Sequence, residues 1–330
     1  MSKDTRNNLI FFLVGLVLLS WMVYDFGVER LLRELFKVGW WILPIIGLWL
    51  VIYILNTSAW NVILGRNCHV RFGKLLSMKI TGFALNYLTP VVALAGEPWK
   101  VMNVKKLIGV EKASASIILY NMMHILSHFF FWVSAIVLVI FNIKPTRGAY
   151  IFLGILLIIM LWIIAIIYRW YKNGIVFSFM HFLKKLPLLK APAARILSKE
   201  KILTEIENQV VAFYNTRRKA FYYTLGFEYA SRLIGSLEFY LIMRALGLNI
   251  DILQAVYISA ASSLLANIMF FMPLQLGTRE GSLYLVYESL RFPPGQGVLV
   301  SIVTRIREFF WILLGLLLMK FSAVKSHTTR

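Results

Sequence analysis

Three charged residues, Glu97, Arg279 and Glu280, interrupt otherwise apolar stretches of the chain. Charges in such surroundings are costly and usually mark a ligand site or a proton carrier. The planar guanidinium of arginine suits a phosphate group, and a carboxylate can take up and release a proton. The alternative is structural, with both glutamates capping helix N-termini and Arg279 pairing with one of them. These residues therefore predict either a phosphate site with a proton carrier or a helix-capping arrangement.

More charges lie in two longer apolar runs, residues 221–243 and 297–319. The first run contains Glu228, Arg232 and Glu238, and the second contains Arg305, Arg307 and Glu308. Glu228 and Arg232 are one helical turn apart and can pair, so internal ion pairing is the alternative to ligand binding. Glu308 is the one acidic residue within a turn of either arginine of the second run, which leaves positive charge in excess. We predict phosphate contacts for Arg279, Arg305 and Arg232, in that order.

His124 and His128 are four residues apart in a third apolar run. A histidine pair at this spacing can bind zinc, but it needs a third ligand and there is no H-E-x-x-H motif. The single cysteine, Cys68, supplies neither a zinc site nor a redox motif. We interpret the two histidines as a polar stripe between packed helices, and we expect no metal and no cofactor.

The elements that must position these residues are membrane helices. The chain is 59% hydrophobic with a mean hydropathy of +0.73, beyond the range of soluble domains. A crossing needs about 20 apolar residues. Six runs are long enough, namely residues 8–24, 40–63, 113–143, 150–168, 221–243 and 297–319. The sequence therefore predicts an all-α, polytopic membrane protein in which residues 1–330 form a single integral-membrane domain.

The basic residues set the predicted topology. Of the 35 lysines and arginines, 24 lie in residues 1–6, 66–79, 100–112, 169–219 and 320–330. The positive-inside rule places all of these segments in the cytoplasm, together with both termini. The segments on either side of residues 78–98 can share one face only if that stretch is a re-entrant hairpin. The same count makes residues 252–290 a second hairpin that enters from the opposite face, or two short crossings.

Each of these two stretches is broken by helix-disrupting residues in the same order. The first contains Asn86, Pro90, Gly96, Glu97 and Pro98, and the second contains Asn267, Pro273, Gly277, Glu280 and Gly281. Irregular backbone at membrane depth survives only where it is buried in protein or lines a wet cavity. Paired breaks in the two halves are typical of inverted-repeat transporters. We expect the prolines and glycines to shape the backbone, and Asn86, Asn267 and Lys100 to join the arginines in binding substrate.

These two motifs resemble those of a known family, the transmembrane region of lysylphosphatidylglycerol synthases. The resemblance rests on Asn86-x3-Pro90 with Ala95-Gly96-Glu97-Pro98-x-Lys100, and on Pro273-x3-Gly277-x2-Glu280-Gly281. It covers most of the chain. The first motif has Ala95 where the family more usually has glycine, and Lys100 where arginine is common. The family includes the flippase part of lipid-aminoacylating proteins and stand-alone flippase-like proteins, some encoded near cell-envelope glycan genes.

The resemblance implies that the protein moves an anionic lipid, a phospholipid or a polyprenyl phosphate, between leaflets. No aminoacyl-transferase domain follows Met319 and no G-x-x-x-x-G-K-[ST] motif occurs. We therefore expect no enzymatic activity, and movement that is passive or driven by an ion gradient or the membrane potential, with Glu97 or Glu280 carrying a coupling proton. Two alternatives remain open: an integral-membrane enzyme acting on a lipid phosphate, and a lipid-binding partner of a membrane glycosyltransferase or synthase.

The stretch 169–219 is predicted to be a basic cytoplasmic connection between the two halves. It holds 11 of the lysines and arginines, with apolar residues at helical spacing. This pattern predicts amphipathic helices on an anionic membrane surface. The net charge of +20 is explained by membrane topology, so we expect no nucleic-acid partner. The expected location is the inner membrane. The expected partners are anionic membrane lipids and, among proteins, envelope-glycan or lipid-modifying enzymes.

Overall fold

The structure is a computed structural model that describes residues 38–65, 70–88, 95–142, 146–174, 200–268, 278–292 and 294–322, with four single residues between 29 and 36. These residues contain ten α-helices and no β-strand. The helices are α1 (Ile42–Leu64), α2 (Phe72–Leu88), α3 (Gly96–Ile108), α4 (Val110–Asn142), α5 (Arg147–Asn173), α6 (Glu200–Thr216), α7 (Arg218–Ala245), α8 (Ile252–Ile268), α9 (Thr278–Ser289) and α10 (Pro294–Ser322). The predicted all-α fold is confirmed.

Three segments are long and apolar enough to cross a bilayer. They are Gly39–Leu64, which includes α1, Val110–Asn142, which is α4, and Arg147–Arg169 within α5. They coincide with the predicted spans at residues 40–63, 113–143 and 150–168. Helix α5 leaves most of its apolar side chains exposed, including Ile158 and Trp162, as a lipid-facing helix does. The chain is therefore a multi-pass membrane protein.

Helices α7 and α10 contain the predicted spans at residues 221–243 and 297–319. They are 28 and 29 residues long. At about 1.5 Å per residue each exceeds the roughly 30 Å hydrocarbon core. Both carry charges that are buried in the protein, so these helices do not present them to lipid. The predicted span at residues 8–24 lies outside the described residues.

Each half of the chain has a long helix, two short helices and a second long helix, in that order. In the first half these are α1, α2, α3 and α4, and in the second half α7, α8, α9 and α10. The two short helices of each pair pack against each other. The predicted breaks fall between them, at residues 89–94 and 269–277, which are outside the described residues and include Pro90, Pro273 and Gly277. Entry of the two pairs from opposite faces stays a prediction.

The two halves are joined by close helix packing. Helix α1 packs along α7, and α2 along α10, as the most extensive helix pairs of the described chain. A Cβ atom added at Gly315 would lie 2.7 Å from Ala84 Cβ and 2.8 Å from the Ile80 carbonyl oxygen. The Thr81 hydroxyl donates a hydrogen bond of 2.9 Å to the Gly315 carbonyl. A glycine at this position is what allows α2 and α10 to approach so closely.

The amphipathic helix α6 differs from its prediction. Its apolar residues Leu203, Ile206, Val210 and Phe213 are buried in the largest apolar cluster of the protein. They pack against α4 and α5 rather than lying on lipid. The amphipathic pattern was interpreted as a membrane-binding face because sequence alone does not distinguish lipid from a neighbouring helix. The other predicted amphipathic segment lies outside the described residues.

We expect Gly315→Ala to destabilise the protein, because the added methyl group would force α2 and α10 apart. Overpacking of this kind costs about 1–3 kcal/mol. Gly154→Ala is the matched control, since a Cβ at Gly154 in α5 meets nothing within 4 Å. The measurement is the unfolding temperature in detergent, taken as the temperature at which the monodisperse peak of the protein in size-exclusion chromatography is lost. Equal unfolding temperatures for the two variants would contradict the close α2–α10 contact.

Candidate functional site

The first broken segment is closed by the side chain of Asn86 at the end of α2. The Gly96 backbone N–H donates to Asn86 Oδ1 at 2.7 Å, and Asn86 Nδ2 donates to Glu97 Oε1 at 3.2 Å. A Cβ atom at Gly96 would lie 2.2 Å from the Gly82 carbonyl oxygen. Only glycine fits there. Asn86 and Gly96 thus bring the start of α3, with Glu97 in its first turn, against α2.

Lys100 lies one turn further along α3 and is buried. Its ammonium donates to Glu97 Oε1 at 2.7 Å, so the two residues form an ion pair. The ammonium also lies 5.8 Å from the ring centroid of Trp60 and 5.6 Å from that of Tyr120. The second carboxylate oxygen of Glu97, Oε2, is buried and has no hydrogen-bond partner. Pro98 is exposed.

A second set of polar side chains joins α2, α4 and α7. Lys79 donates a hydrogen bond to the Tyr120 hydroxyl, which lies beside the carboxylate of Glu228. Glu228 Oε2 lies 2.7 Å from His124 Nδ1. Arg232 Nη2 lies 2.7 Å from His124 Nε2. These residues and the Glu97–Lys100 pair lie within electrostatic range of Lys79, and together they form what we call the cavity cluster.

Several members of the cavity cluster lie deep in the protein and yet retain accessible surface. Lys79, His124 and Arg232 are surrounded by protein, but none of them is fully covered. The side chain of His124 is 34% exposed, whereas that of its partner Glu228 is 0% exposed. These three side chains therefore keep some accessible surface between the helices, which side chains of a packed core do not. The cavity cluster contains three cations and two carboxylates, so its walls are positively charged.

A separate arginine cluster lies where α1, α7 and α10 meet. Arg307 donates to both carboxylate oxygens of Glu238, with Nε at 2.8 Å from Oε1 and Nη2 at 3.1 Å from Oε2. The Trp49 indole N–H donates to the same carboxylate at 2.8 Å, and the guanidinium stacks 3.7 Å from the Trp49 ring centroid. Arg307 and Glu238 are both buried. This fork arrangement satisfies the glutamate completely and ties the second half of the chain to α1.

Glu308 organises the rest of the arginine cluster. Arg279 Nη1 donates to Glu308 Oε1 at 2.5 Å, and the Tyr87 hydroxyl donates to Glu308 Oε2. Arg305 Nη1 lies 3.2 Å from the Tyr87 hydroxyl. Arg305 is 0% exposed, whereas the side chain of Arg279 is 19% exposed. Of the two arginines predicted first for phosphate contacts, Arg279 is therefore the accessible one.

These motifs and helices agree with a comparison of the whole chain against protein families. The profile described as the lysylphosphatidylglycerol synthase TM region matches residues 8–315. The chain belongs to this family. Neither the curated proteins nor the solved structures contain a significant match. The family's membership supports a membrane protein that takes part in lipid modification or translocation.

Within this family fold, the predicted residues of the second broken segment are less informative. The Asn267 side chain is exposed and donates to the Ser263 carbonyl of its own helix at 2.8 Å. Gly281 is exposed in α9. Glu280 belongs to the first turn of α9, but its side chain is not among those that the structure describes. Among the described residues of the second segment, therefore, no side chain joins two helix ends as Asn86 does in the first.

Sequence reasoning missed three members of the clusters: Lys79, Tyr120 and Tyr87. Lys79 was assigned to a cytoplasmic basic segment, although it sits between the apolar residues Met78 and Ile80. The two tyrosines were treated as ordinary apolar residues. His124 was interpreted as part of a packing stripe, but it bonds a buried carboxylate. Among the described residues no group of three or more potential metal ligands occurs.

We expect Glu238→Gln to destabilise the protein strongly, because Arg307 would lose its counter-charge in a buried position. Breaking a buried pair by removing one partner costs about 3–5 kcal/mol. Glu205→Gln is the control, since Glu205 is exposed on α6 and accepts a hydrogen bond of 3.0 Å from Gln209. The unfolding temperature in detergent is the measurement. A fall no larger than that of the control would show that the Arg307–Glu238 pair does not hold the helices together.

Proposed function

We propose that this protein moves an anionic lipid between the leaflets of the inner membrane, with the phosphate of the headgroup held in the cavity cluster. The observation that carries the proposal is the excess of positive charge on side chains that are deep in the protein and still accessible. Buried cations of this kind mark substrate pathways in membrane proteins. A phosphate would supply the missing negative charge, while the lipid chains stay in the bilayer.

The two clusters support different roles in this proposal. In the arginine cluster every oxygen of Glu238 and Glu308 accepts a hydrogen bond. In the cavity cluster Glu97 Oε2 and Glu228 Oε1 have no partner. Arg307 Nη1 also lacks a hydrogen-bond partner, but it lies 3.7 Å from Glu308 Oε1. Saturated carboxylates stabilise one arrangement of helices, whereas incompletely bonded ones let the surrounding cations change partners. We assign the headgroup to Lys79 and Arg232, with Arg279 at the accessible edge of the arginine cluster.

A cavity next to the cluster offers a route for the lipid. It has a volume of about 550 Å³ and lies between α1, α3, α4 and α6, with Lys112 and Arg217 in its wall. Its lining includes Ser116, which accepts a hydrogen bond of 3.4 Å from Trp60, the residue whose ring faces Lys100. These helix ends adjoin the basic segments that the positive-inside rule places in the cytoplasm. The proposed route therefore begins in the cytoplasmic leaflet.

The proposed activity is transport without chemical change to the lipid. The cations of the cavity cluster are arranged around carboxylates and a histidine, and the headgroup would bind by exchange of these partners. The sequence contains no nucleotide-binding P-loop, so we propose that movement is passive or coupled to an ion gradient or the membrane potential. Mass analysis of the lipids before and after a transport assay would reveal an enzyme by the appearance of a modified product.

We expect Arg232→Gln to lower the rate of anionic-lipid movement at least about tenfold, the equivalent of one charge-assisted hydrogen bond of roughly 1.5 kcal/mol. The assay uses proteoliposomes with fluorescent phosphatidylglycerol, in which dithionite quenches the outer leaflet. Arg244→Gln is the matched control, because Arg244 lies on the same helix but is exposed and bonds Tyr240 and Asn249. Fluorescent phosphatidylcholine tests charge selectivity.

The proposal would be rejected if wild-type protein moved neither lipid faster than empty liposomes do. Movement of both lipids at equal rates, with no effect of Arg232→Gln, would count against the cavity cluster as a phosphate site. Arg279→Gln in the same assay separates the two clusters. A loss in Arg279→Gln alone would place the headgroup at the arginine cluster instead.

A further inference from the structure

The contact between His124 and Glu228 requires a proton of defined position. His124 Nδ1 and Glu228 Oε2 are 2.7 Å apart, so one proton lies between them. Arginine can only donate, and Arg232 Nη2 lies 2.7 Å from Nε2 of the same ring and 2.9 Å from Nδ1. The ring of His124 thus lies between the carboxylate of Glu228 and the guanidinium of Arg232, and the proton at Nδ1 is shared with Glu228.

The free position for a proton is on Glu228 itself. Its second oxygen, Oε1, is buried and makes no direct hydrogen bond, and the Tyr120 hydroxyl lies beside the carboxylate. A buried carboxylate oxygen without a close donor is costly. Protonation would place a hydrogen on this carboxyl group. Glu97 also leaves one oxygen without a partner, and Glu228 differs from it by facing Lys79, Arg232 and His124 together.

The surroundings of Glu228 are predominantly positive. The charged and titratable groups that face it are Lys79 from α2, Tyr120 and His124 from α4, and Arg232 from its own helix. Helices α1 and α8 also pack on α7, and neither contains an aspartate, glutamate, lysine, arginine or histidine. Helices α6 and α10 pack on α7 as well, and their charged residues are not among the nearest electrostatic partners of Glu228. Glu228 is therefore the carboxylate on which Lys79 and Arg232 converge.

We infer that Glu228, held in place by His124, is the proton-binding site of the transporter, and that one proton and one anionic headgroup bind the cavity cluster together. This inference rests on the proposed function. When Glu228 is ionised it compensates Lys79 and Arg232, and these cations have little affinity for a second anion. When Glu228 takes up a proton from the aqueous phase, an O–H bond forms and the carboxyl becomes neutral. The two cations are then free to hold a phosphate.

Thermodynamic linkage makes this coupling reciprocal. If protonation of Glu228 favours headgroup binding, then headgroup binding must favour protonation by the same factor. The loaded site carries no more charge than the empty one, because the proton and one negative charge of the lipid enter together. Charge therefore need not move through the low-dielectric part of the protein. The direction of lipid movement would follow the proton gradient.

A second histidine lies beside the pair. His128 is one turn along α4, and its ring is 5.3 Å from that of His124 in an edge-on arrangement. On its other side the ring of Trp132 is 5.2 Å away. Aromatic rings therefore cover this side of the His124–Glu228 pair.

The test is the pH dependence of binding and transport in wild type and Glu228→Gln. Binding of short-chain phosphatidylglycerol to protein in nanodiscs is followed by tryptophan fluorescence, and transport by the dithionite assay. We expect wild-type affinity to rise by up to roughly tenfold for each unit of falling pH over the range in which Glu228 titrates. Glutamine mimics the protonated carboxyl, so Glu228→Gln should bind tightly at every pH. Glu205→Gln, which is exposed, should behave as wild type does.

Several outcomes would overturn the inference. Wild-type binding that does not change with pH would do so, as would a pH dependence retained by Glu228→Gln. Transport at the same rate at every pH would leave the proposed function standing and remove the proton coupling. Conversely, pH-linked binding that is lost in Glu228→Gln, with no transport by wild type, would support the proton site and reject the proposed transport.

A spectroscopic measurement on wild-type protein tests the same inference even if a variant folds poorly. Infrared difference spectra of wild type with and without ether-linked phosphatidylglycerol, which has no ester carbonyl, should show a carboxylic C=O band when the lipid binds. The band should be absent from Glu228→Gln and retained in Glu97→Gln, which removes the other incompletely bonded carboxylate of the cluster. A band that persists in Glu228→Gln would assign the proton to another group and overturn the inference.

Discussion

The need to compensate buried charge determines how the helices of this protein are arranged. Six cations of the two clusters lie away from bulk water, and an isolated ammonium or guanidinium there would cost several kcal/mol. Each of the four carboxylates consequently bonds a group on another element or another turn: Glu97 bonds Lys100, Glu228 bonds His124, Glu238 bonds Arg307 and Glu308 bonds Arg279. Helices α7, α9 and α10 are positioned by these pairs as much as by apolar packing.

Hydropathy was sufficient to predict the long helices of the described chain, because apolar length is a local feature. The pairing partners were not local. Arg307 finds Glu238 at a separation of 69 residues, whereas sequence spacing can identify only partners within a turn or two. The same limit explains the Glu228–Arg232 prediction, in which the right helix face was identified but His124, 104 residues away, was not.

The assignment of Lys79 illustrates a second limit of sequence reasoning. A lysine at the edge of a basic segment is usually solvated, and the positive-inside rule treats it as such. Here it lies inside α2 and donates to Tyr120, because α2 continues from Phe72 through the position where the apolar stretch begins. Its role depends on the neighbour that α4 presents. Only the three-dimensional structure, which brings Tyr120 of α4 and Arg232 of α7 near Lys79, shows that this residue belongs to a site.

Two consecutive residues of α2 connect the two clusters. Asn86 closes the first broken segment and contacts Glu97, while Tyr87 on the adjacent face donates to Glu308. A movement of this end of α2 would therefore change the bonding of the cavity cluster and of the arginine cluster at the same time. Because the carboxylates of the arginine cluster are saturated and those of the cavity cluster are not, the first would resist such a movement and the second would respond to it. If binding of a headgroup at the cavity cluster moved α2, it would also change the contact between Tyr87 and Glu308 in the second half. The two halves are therefore coupled through α2, although the headgroup contacts only one cluster.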